Sequence, residues 1–323
     1  MKRATLLTVL AIAASVLFVS PIEAQEWPQR PVRIIVGFAP GSTPDLMARL
    51  VAEHLHKQLG QPVVVDNRAG AGGNIAAEAV AKAAPDGYTL GVTIPGPMIV
   101  NPMIMSLPYD PKTDLQPITI VGTQPSVLVT GAGLGVGSLA ELIALLKKNP
   151  GKYNFASIGV GSISHLAMEL IALQSGTELF HLPYKGSPEA VQAVITGDAH
   201  MAALPPLAVM PHAKEGKLRM LAVTTPNRWP AMPEVPTFRE AGLPEVQVEA
   251  WMALIAPGKT PRPIVERIHR ELKSAFATDA AREQVKRLAF EPVLNTPAEF
   301  AARLREEEAR WAKVVDKIGL RKK

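Results

Sequence analysis

Four short stretches of this chain place small and hydroxyl-bearing residues between an apolar run and a helix start. They are Gly37 to Asp45 (GFAPGSTPD), Ala69 to Asn74, Ile158 to His165, and Tyr184 to Ser187. A turn of that composition leaves backbone N–H groups free at the helix N-terminus, where the helix dipole favours negative charge. Ser42, Thr43, Asn74, Ser157, Ser162, Ser164 and His165 add neutral hydrogen-bonding groups. The chemistry these residues suit is capture of a carboxylate by amides and hydroxyls, without a buried arginine. Each charge-assisted hydrogen bond contributes roughly 1.5–3 kcal/mol, so a handful supports micromolar or tighter binding after association costs.

Catalytic readings are weaker. His165 beside serines has the composition of a general base with a nucleophile, but a histidine at a helix start more simply donates to ligand or backbone. The hydrolase elbow G-x-S-x-G is absent, because Phe155-Ala156-Ser157-Ile158-Gly159 lacks the first glycine. Gly37 to Asp45 has neither the lysine of a nucleotide P-loop nor the G-x-G-x-x-G spacing. Asp45 is placed to cap its helix. His54 and His56 are two apart and face different sides of a helix, which argues against a metal pair. With no cysteine, thiolate sites and disulfides are excluded. No cofactor, no metal and no enzymatic activity are expected.

The elements that must position these loops follow from periodicity. Val32 to Val36 is a β-branched strand, and Met47, Leu50, Val51, His54, Leu55, Gln58 and Leu59 repeat at helical spacing behind it. Val63 to Asp66 and Tyr88 to Thr93 are further strands, with a small-residue helix from Ile75 to Ala83 between them. This β-α-β-α-β order is that of a parallel sheet. A second series begins near Leu115. It runs through strands at Ile118–Val121, Val127–Thr130, Tyr153–Ser157, Phe180–Pro183, His200–Leu204 and Leu218–Thr224, with a capping box at Ser138 to Glu141. A third part, from the strand Val246–Ile255 to a long helix at about Pro297–Ile318, returns to the first. The chain therefore predicts two α/β lobes with two crossings, near Ile118–Pro125 and Leu243–Trp251, and a cleft between them. The expected organisation is 25–120 plus 249–323 for the first lobe and 121–248 for the second. In parallel sheets such loops gather at the C-terminal strand ends, so loops of both lobes converge on that cleft.

The 323 residues carry a formal charge of +5. Met1-Lys2-Arg3, the apolar Ala4 to Val19 and the small Ala24 before Gln25 predict a secretory signal, residues 1–24, cleaved after Ala24. Its loss leaves +4. Basic residues are scattered among acids, with no stripe interleaved with aromatics, which speaks against nucleic acid as a partner.

The motifs resemble those of the tripartite tricarboxylate transporter substrate-binding proteins (the Bug, or TctC-like, receptors). The likeness is collinear from about Trp27 to Gly319. It rests on Pro40 to Asp45, Asn67 to Gly73, Pro85 to Leu90, Leu107 to Asp110, Ser157 to Leu166, Pro183 to Gly186, Gly216 to Arg219 and Pro233 to Thr237. The resemblance implies a two-lobed periplasmic binding protein-like fold of type II-like topology, with parallel-rich sheets flanked by helices. It implies a monomeric periplasmic receptor that passes a small organic acid to membrane transporter subunits. The family's glycine loops map onto Phe38, Pro40, Gly41, Ser42, Asp45, Ser157, Gly159, Gly161, Ser162 and His165, with Gly73 and Asn74 bordering the same cleft. Ser42 stands where the family has a second glycine, with Pro44 stiffening the loop, which bears on how closely the backbone approaches a carboxylate; Ala193 and His200 stand where the family often has aspartates, which leaves ligand selectivity there open. A sensory protein presenting ligand to a membrane signalling partner is the alternative role, and a serine/histidine hydrolase a more distant one.

Overall fold

The computed structural model describes residues 27–322, so the expected signal segment at 1–24 lies outside the described residues. The first lobe is a six-stranded sheet. Its strands β1 (Val32–Val36), β2 (Val63–Asn67) and β3 (Thr89–Thr93) are parallel to one another, as the β-α-β-α-β reading requires. Two long strands complete it: β4 (Leu115–Pro125) and β10 (Glu249–Pro257), the latter antiparallel to both β3 and β4, with the two-residue β11 (Glu291–Pro292) at the edge. The second lobe is a five-stranded sheet of β5 (Val127–Gly131), β6 (Asn154–Ser157), β7 (Phe180–Pro183), β8 (Met201–Leu204) and β9 (Leu218–Val223) in the order β7-β6-β8-β5-β9. Here β6 is parallel to β7 and β8, whereas β5 is antiparallel to β8 and β9.

The helices follow from caps and apolar faces. Helix α1 (Thr43–Leu59) starts at Ser42, carries Pro44 in its first turn, and stops at Gly60, whose left-handed backbone (φ 67°) returns its N–H to His56 O. Met47, Val51 and Leu55 of α1 pack on Ile34 and Val36 of β1 together with Ile268 and Leu272 of α8 (Arg262–Ala275). Ile35, on the other face of β1, packs with Ala76, Ala77 and Val80 of α2 (Asn74–Ala81). A strand buried on both faces is what a parallel sheet covered by helices demands. The proline-rich stretch after β3, read from sequence as irregular, is a wide turn at Gly96–Val100 running into the short α3 (Asn101–Ile104), with prolines in both first turns. The second lobe has α4 (Leu139–Lys148), α5 (Ile163–Ser175), α6 (Ser187–Thr196) and α7 (Pro206–Lys214). Helices α9 (Asp279–Arg287) and α10 (Pro297–Lys317) close the first lobe. The Ser138 hydroxyl accepts from Glu141 N, but the Glu141 carboxylate caps Gly137 N rather than Ser138 N; the full reciprocal box is at Thr296 and Glu299.

One boundary differs from the sequence expectation. Strand β4 stays paired in the first sheet as far as Pro125, so the chain leaves the first lobe at Ser126 rather than after residue 120. The run Ile118–Val121 therefore belongs to the first lobe. The two crossings meet at Thr224. Its hydroxyl accepts from Ser126 N (2.9 Å) and donates to Val248 O, while its backbone bonds Ser126 O (3.1 Å) and Val248 N (3.0 Å). Beside this knot Arg303 of α10 bridges Glu249 (3.0 Å) and Glu307 (2.6 Å), and Glu307 accepts from Trp251 Nε1 (3.0 Å). Thr224, Val248, Glu249, Arg303 and Glu307 border a cavity of about 370 Å³ together with Pro226 and Gln247.

Candidate functional site

In each lobe one loop leaves the C-terminal end of a strand and enters a helix, Gly37 to Ser42 from β1 into α1 and Ile158 to Ser162 from β6 into α5. Three loops come together. In the first lobe, Gly37 lies so close to Gly73 that a Cβ on it would stand 2.5 Å from Gly73 Cα, and Phe38 packs against Gly73 in turn. Asn101 of α3 donates to Asn74 Oδ1 (2.8 Å), and Tyr109 donates to the same oxygen (3.1 Å). From the second lobe Gly161 meets Asn101 and Ile104: a Cβ there would lie 2.9 Å from Asn101 Oδ1 and 2.5 Å from Ile104 Cδ1. The second-lobe loop thus touches the first lobe at the residue that positions Asn74.

The polar side chains singled out in the sequence stand behind these loops. Asp45 is 1% exposed, and its carboxylate accepts from Gly41 N (2.8 Å), Arg49 Nε (2.9 Å) and Asn67 Nδ2 (2.9 Å). Burial pushes this carboxyl up, and those donors more than offset it, so it stays below its usual range. Ser157 is fully buried; its hydroxyl accepts from Gly159 N (3.1 Å) and is shared with His181 Nε2 (2.6 Å). His165, 2% exposed, accepts from Gly161 N at Nδ1 (3.2 Å), which places its ring proton on Nε2, facing Glu169 (3.3 Å). The His165 and His181 rings stack at 3.9 Å and 13°, and the Phe155 ring lies near-parallel beside both, 4.9 Å from His181 and 6.1 Å from His165. What remains of the two loops is mostly main chain at or near the surface: exposed Pro40 and Gly41, half-buried Phe38, Ser42, Gly159 and Ser162. Gly73 and Gly161 are buried between the loops.

His181 and Asn101 were not singled out from sequence, and Asn67 and Tyr109 fell within quoted motifs without being given a role. They sit on other strands and turns, so no local spacing marks them. His200 and Ala193 do not border these loops. His200 bonds Asn154 at the start of β6, the opposite end of the strand from Ser157, and Ala193 is buried in α6. The sequence leaves selectivity at these two positions open, and both lie away from the two loops.

Burial, then the neighbouring His165, lowers the His181 pKa to about 4. An unfolded histidine titrates near 6.5, so between those values the unfolded chain binds a proton that the folded chain does not. Stability is then level above about pH 6.5 and falls as the pH drops towards 4, by an amount on the order of 2–3 kcal/mol. Melting curves of wild type and His181→Phe across that range check this. The variant should lose less stability on acidification, and equal losses would reject the assignment.

The tripartite tricarboxylate transporter family receptor model (TctC) matches residues 47–320. Protein BugT of Bordetella pertussis is 40% identical over 328 residues, covering 100% of both chains. Among solved structures, a Rhodopseudomonas palustris protein with adipate is 34% identical with a TM-score of 0.85, covering 91% of this chain and 99% of that one. MatC of the same organism, with bound malate, is 33% identical with a TM-score of 0.80, covering 90% and 100%. These relatives are binding proteins rather than enzymes, consistent with side chains that brace loops instead of activating a nucleophile. The chain belongs to the tripartite tricarboxylate transporter receptor family of solute-binding proteins.

Proposed function

We propose that this protein is a periplasmic receptor that captures a small carboxylate-bearing metabolite between its lobes and delivers it to a tripartite tricarboxylate-type membrane transporter. The observation that carries the reading is the pair of loops at Ala39–Asp45 and Gly159–His165. Each ends in a helix start and is braced from behind, and the second reaches the first lobe through Gly161. The site residues of this reading are Phe38, Pro40, Gly41, Ser42, Gly159, Gly161 and Ser162 at the cleft. Asp45, Gly73, Asn74, Ser157 and His165 shape it. Relatives with adipate and malate support a carboxylate as the ligand. A main-chain site of this kind holds an anion by amide dipoles and excludes water as the lobes approach, and the ligand shifts the balance between lobe arrangements.

The test is a thermal-shift screen of the chain from Gln25 onward against adipate, malate, other organic acids and their neutral amides. At 100 times the dissociation constant an acid should stabilise by about 2.7 kcal/mol, a shift of a few degrees. Deleting the gene should abolish uptake of the acid that binds. Shifts with amides but with no acid would overturn the ligand class. Unchanged uptake would overturn the delivery role.

A further inference from the structure

Acids and bases are mixed along α10 as far as Glu308, which pairs with Lys112 at 2.7 Å. From Arg310 to Lys322 the balance changes to five cations against one acid, Asp316, and Arg321 holds that acid with Nη2 at 3.0 Å. Arg310, Lys313, Lys317 and Lys322 are exposed and form no ion pair among the described residues. The Arg310 guanidinium rests over the Trp311 ring, 5.2 Å from its centre, rather than on a carboxylate. Arg310, Lys313 and Lys317 follow one another at steps of three and four, so they share one helix face and make a stripe about 10 Å long. The helix dipole accounts for a lysine in the last turn, Lys317, but its pull fades within that turn and does not reach Arg310 or Lys313. On other helices exposed bases are tied to an acid four residues away, as in Lys57 to Glu53, Lys82 to Glu78 and Arg262 to Glu266.

The stripe also lies on the part of the first lobe that the second lobe touches. Behind it Trp311, Val314 and Val315 share a core with Val100 and Met103, and Lys322 N donates to Met103 O (2.9 Å). The stretch from Val100 to Ile104 is the one that Gly161 of the second lobe meets, where a Cβ would lie 2.5 Å from Ile104 Cδ1 and 2.9 Å from Asn101 Oδ1. The cationic face and the contact between lobes are thus joined through one packed unit, with α3 between them.

We propose that the stripe of Arg310, Lys313 and Lys317, extended by Arg321 and Lys322, is the surface with which the receptor docks on an acidic patch of its membrane partner protein. The inference rests on the delivery role given above. Two observations favour a protein over a lipid surface as the occupant. A lipid surface holds a basic element firmly when apolar side chains beside the cations enter it, and none of the large apolar side chains exposed among the described residues lies between Arg310 and Lys322. A lipid surface would also hold the receptor whatever its lobes are doing, whereas a protein seated here contacts the unit that meets Gly161 and so feels how the lobes are arranged.

Uptake of labelled adipate and malate, in a strain that lacks the gene and carries a plasmid copy, tests the surface. One variant combines Arg310→Glu, Lys313→Glu and Lys317→Glu. A second carries glutamine at the same three positions, for the case that the first does not fold. Like charges set against an acidic patch should cut uptake at sub-saturating acid about tenfold or more in the first and about threefold in the second, while calorimetry finds acid binding within about twofold of wild type. A matching reversal in the second lobe, Lys147→Glu, Lys148→Glu and Lys214→Glu, all at exposed positions, should support uptake as wild type does. The proposal is overturned if the stripe variants transport as wild type does, if the second-lobe reversal loses as much, or if the loss comes with weakened acid binding. Phosphatidylglycerol vesicles that carry down wild type and not the stripe variants would give the surface to lipid, which overturns it too. Deletion of the gene that leaves uptake of both acids unchanged overturns the delivery role itself, an outcome read before any variant is compared.

Discussion

Replacing Gly37 by alanine should lower stability by about 3 kcal/mol or more and weaken ligand binding by about tenfold. A Cβ at that position would stand 2.5 Å from Gly73 Cα and 3.1 Å from Gly73 O, and both are main chain. Gly73 cannot simply retreat. It precedes α2 in a left-handed conformation (φ 96°), with Pro97 and the Phe38 ring already close to it. The added methyl must therefore separate β1 from the Ala69–Asn74 turn, and that motion pulls Asn74 away from Asn101 and Tyr109. In a domain of this size the loss corresponds to a melting point lower by roughly 5–10 °C. Gly133→Ala is the matching control, since nothing lies within 4 Å of its Cβ position. A melting point of Gly37→Ala within about 2 °C of that control would show that the two loops are not in contact as described.

The second large effect is expected at the hinge. Glu307 is 5% exposed and is the shared acceptor for Trp251 Nε1 and Arg303. Glu307→Leu strands a buried indole N–H and leaves Arg303 with Glu249 alone. Losing one partner of a buried pair destabilises by about 3–5 kcal/mol, and because Arg303 is partly exposed the lower end applies here. Adding Arg303→Met should recover part of that loss, because an uncompensated charge is removed and apolar volume returns. Urea unfolding of the single and double variants measures both. A double variant no more stable than the single would mean that the loss comes from the Trp251 bond and not from the ion pair.

What could be read from the sequence was local. The glycine and serine turns, the βαβαβ start and the two-lobed plan follow from residue types within a few positions of one another. The repeat Gly–Ser–x–x–Asp or His announces a helix start with a side chain reaching back, and α1 and α5 are built that way. What escaped was set by distance. His181 touches Ser157 from a neighbouring strand, and Asn101 reaches Asn74 from a proline-rich turn with no periodicity. The lobe boundary drawn after residue 120 fell short of the end of β4 at Pro125, because an apolar strand does not declare its sheet; its partner β10 lies far along the chain. Helices α7 and α9 escaped too, α7 because two prolines and a weak apolar face hide it and α9 because it is mostly charged.

Strand β10 also sets an order of assembly. It sits between β3 and β4, where Ala253 pairs with both Thr93 and Ile120. Until residues 249–257 are available, β3 and the β10-facing side of β4 are bare edges, the kind of surface that recruits stray strands from other chains. The second lobe, by contrast, draws all five strands from one uninterrupted stretch, 127–223. A chain made from its N-terminus thus has every strand of its second sheet in hand before the first sheet can be completed, and its last large step is the non-local insertion of a central strand. Loop closure over that span is slow relative to local pairing. The same discontinuity that makes the chain cross twice between the lobes leaves a central strand of the first sheet to be supplied from far along the sequence.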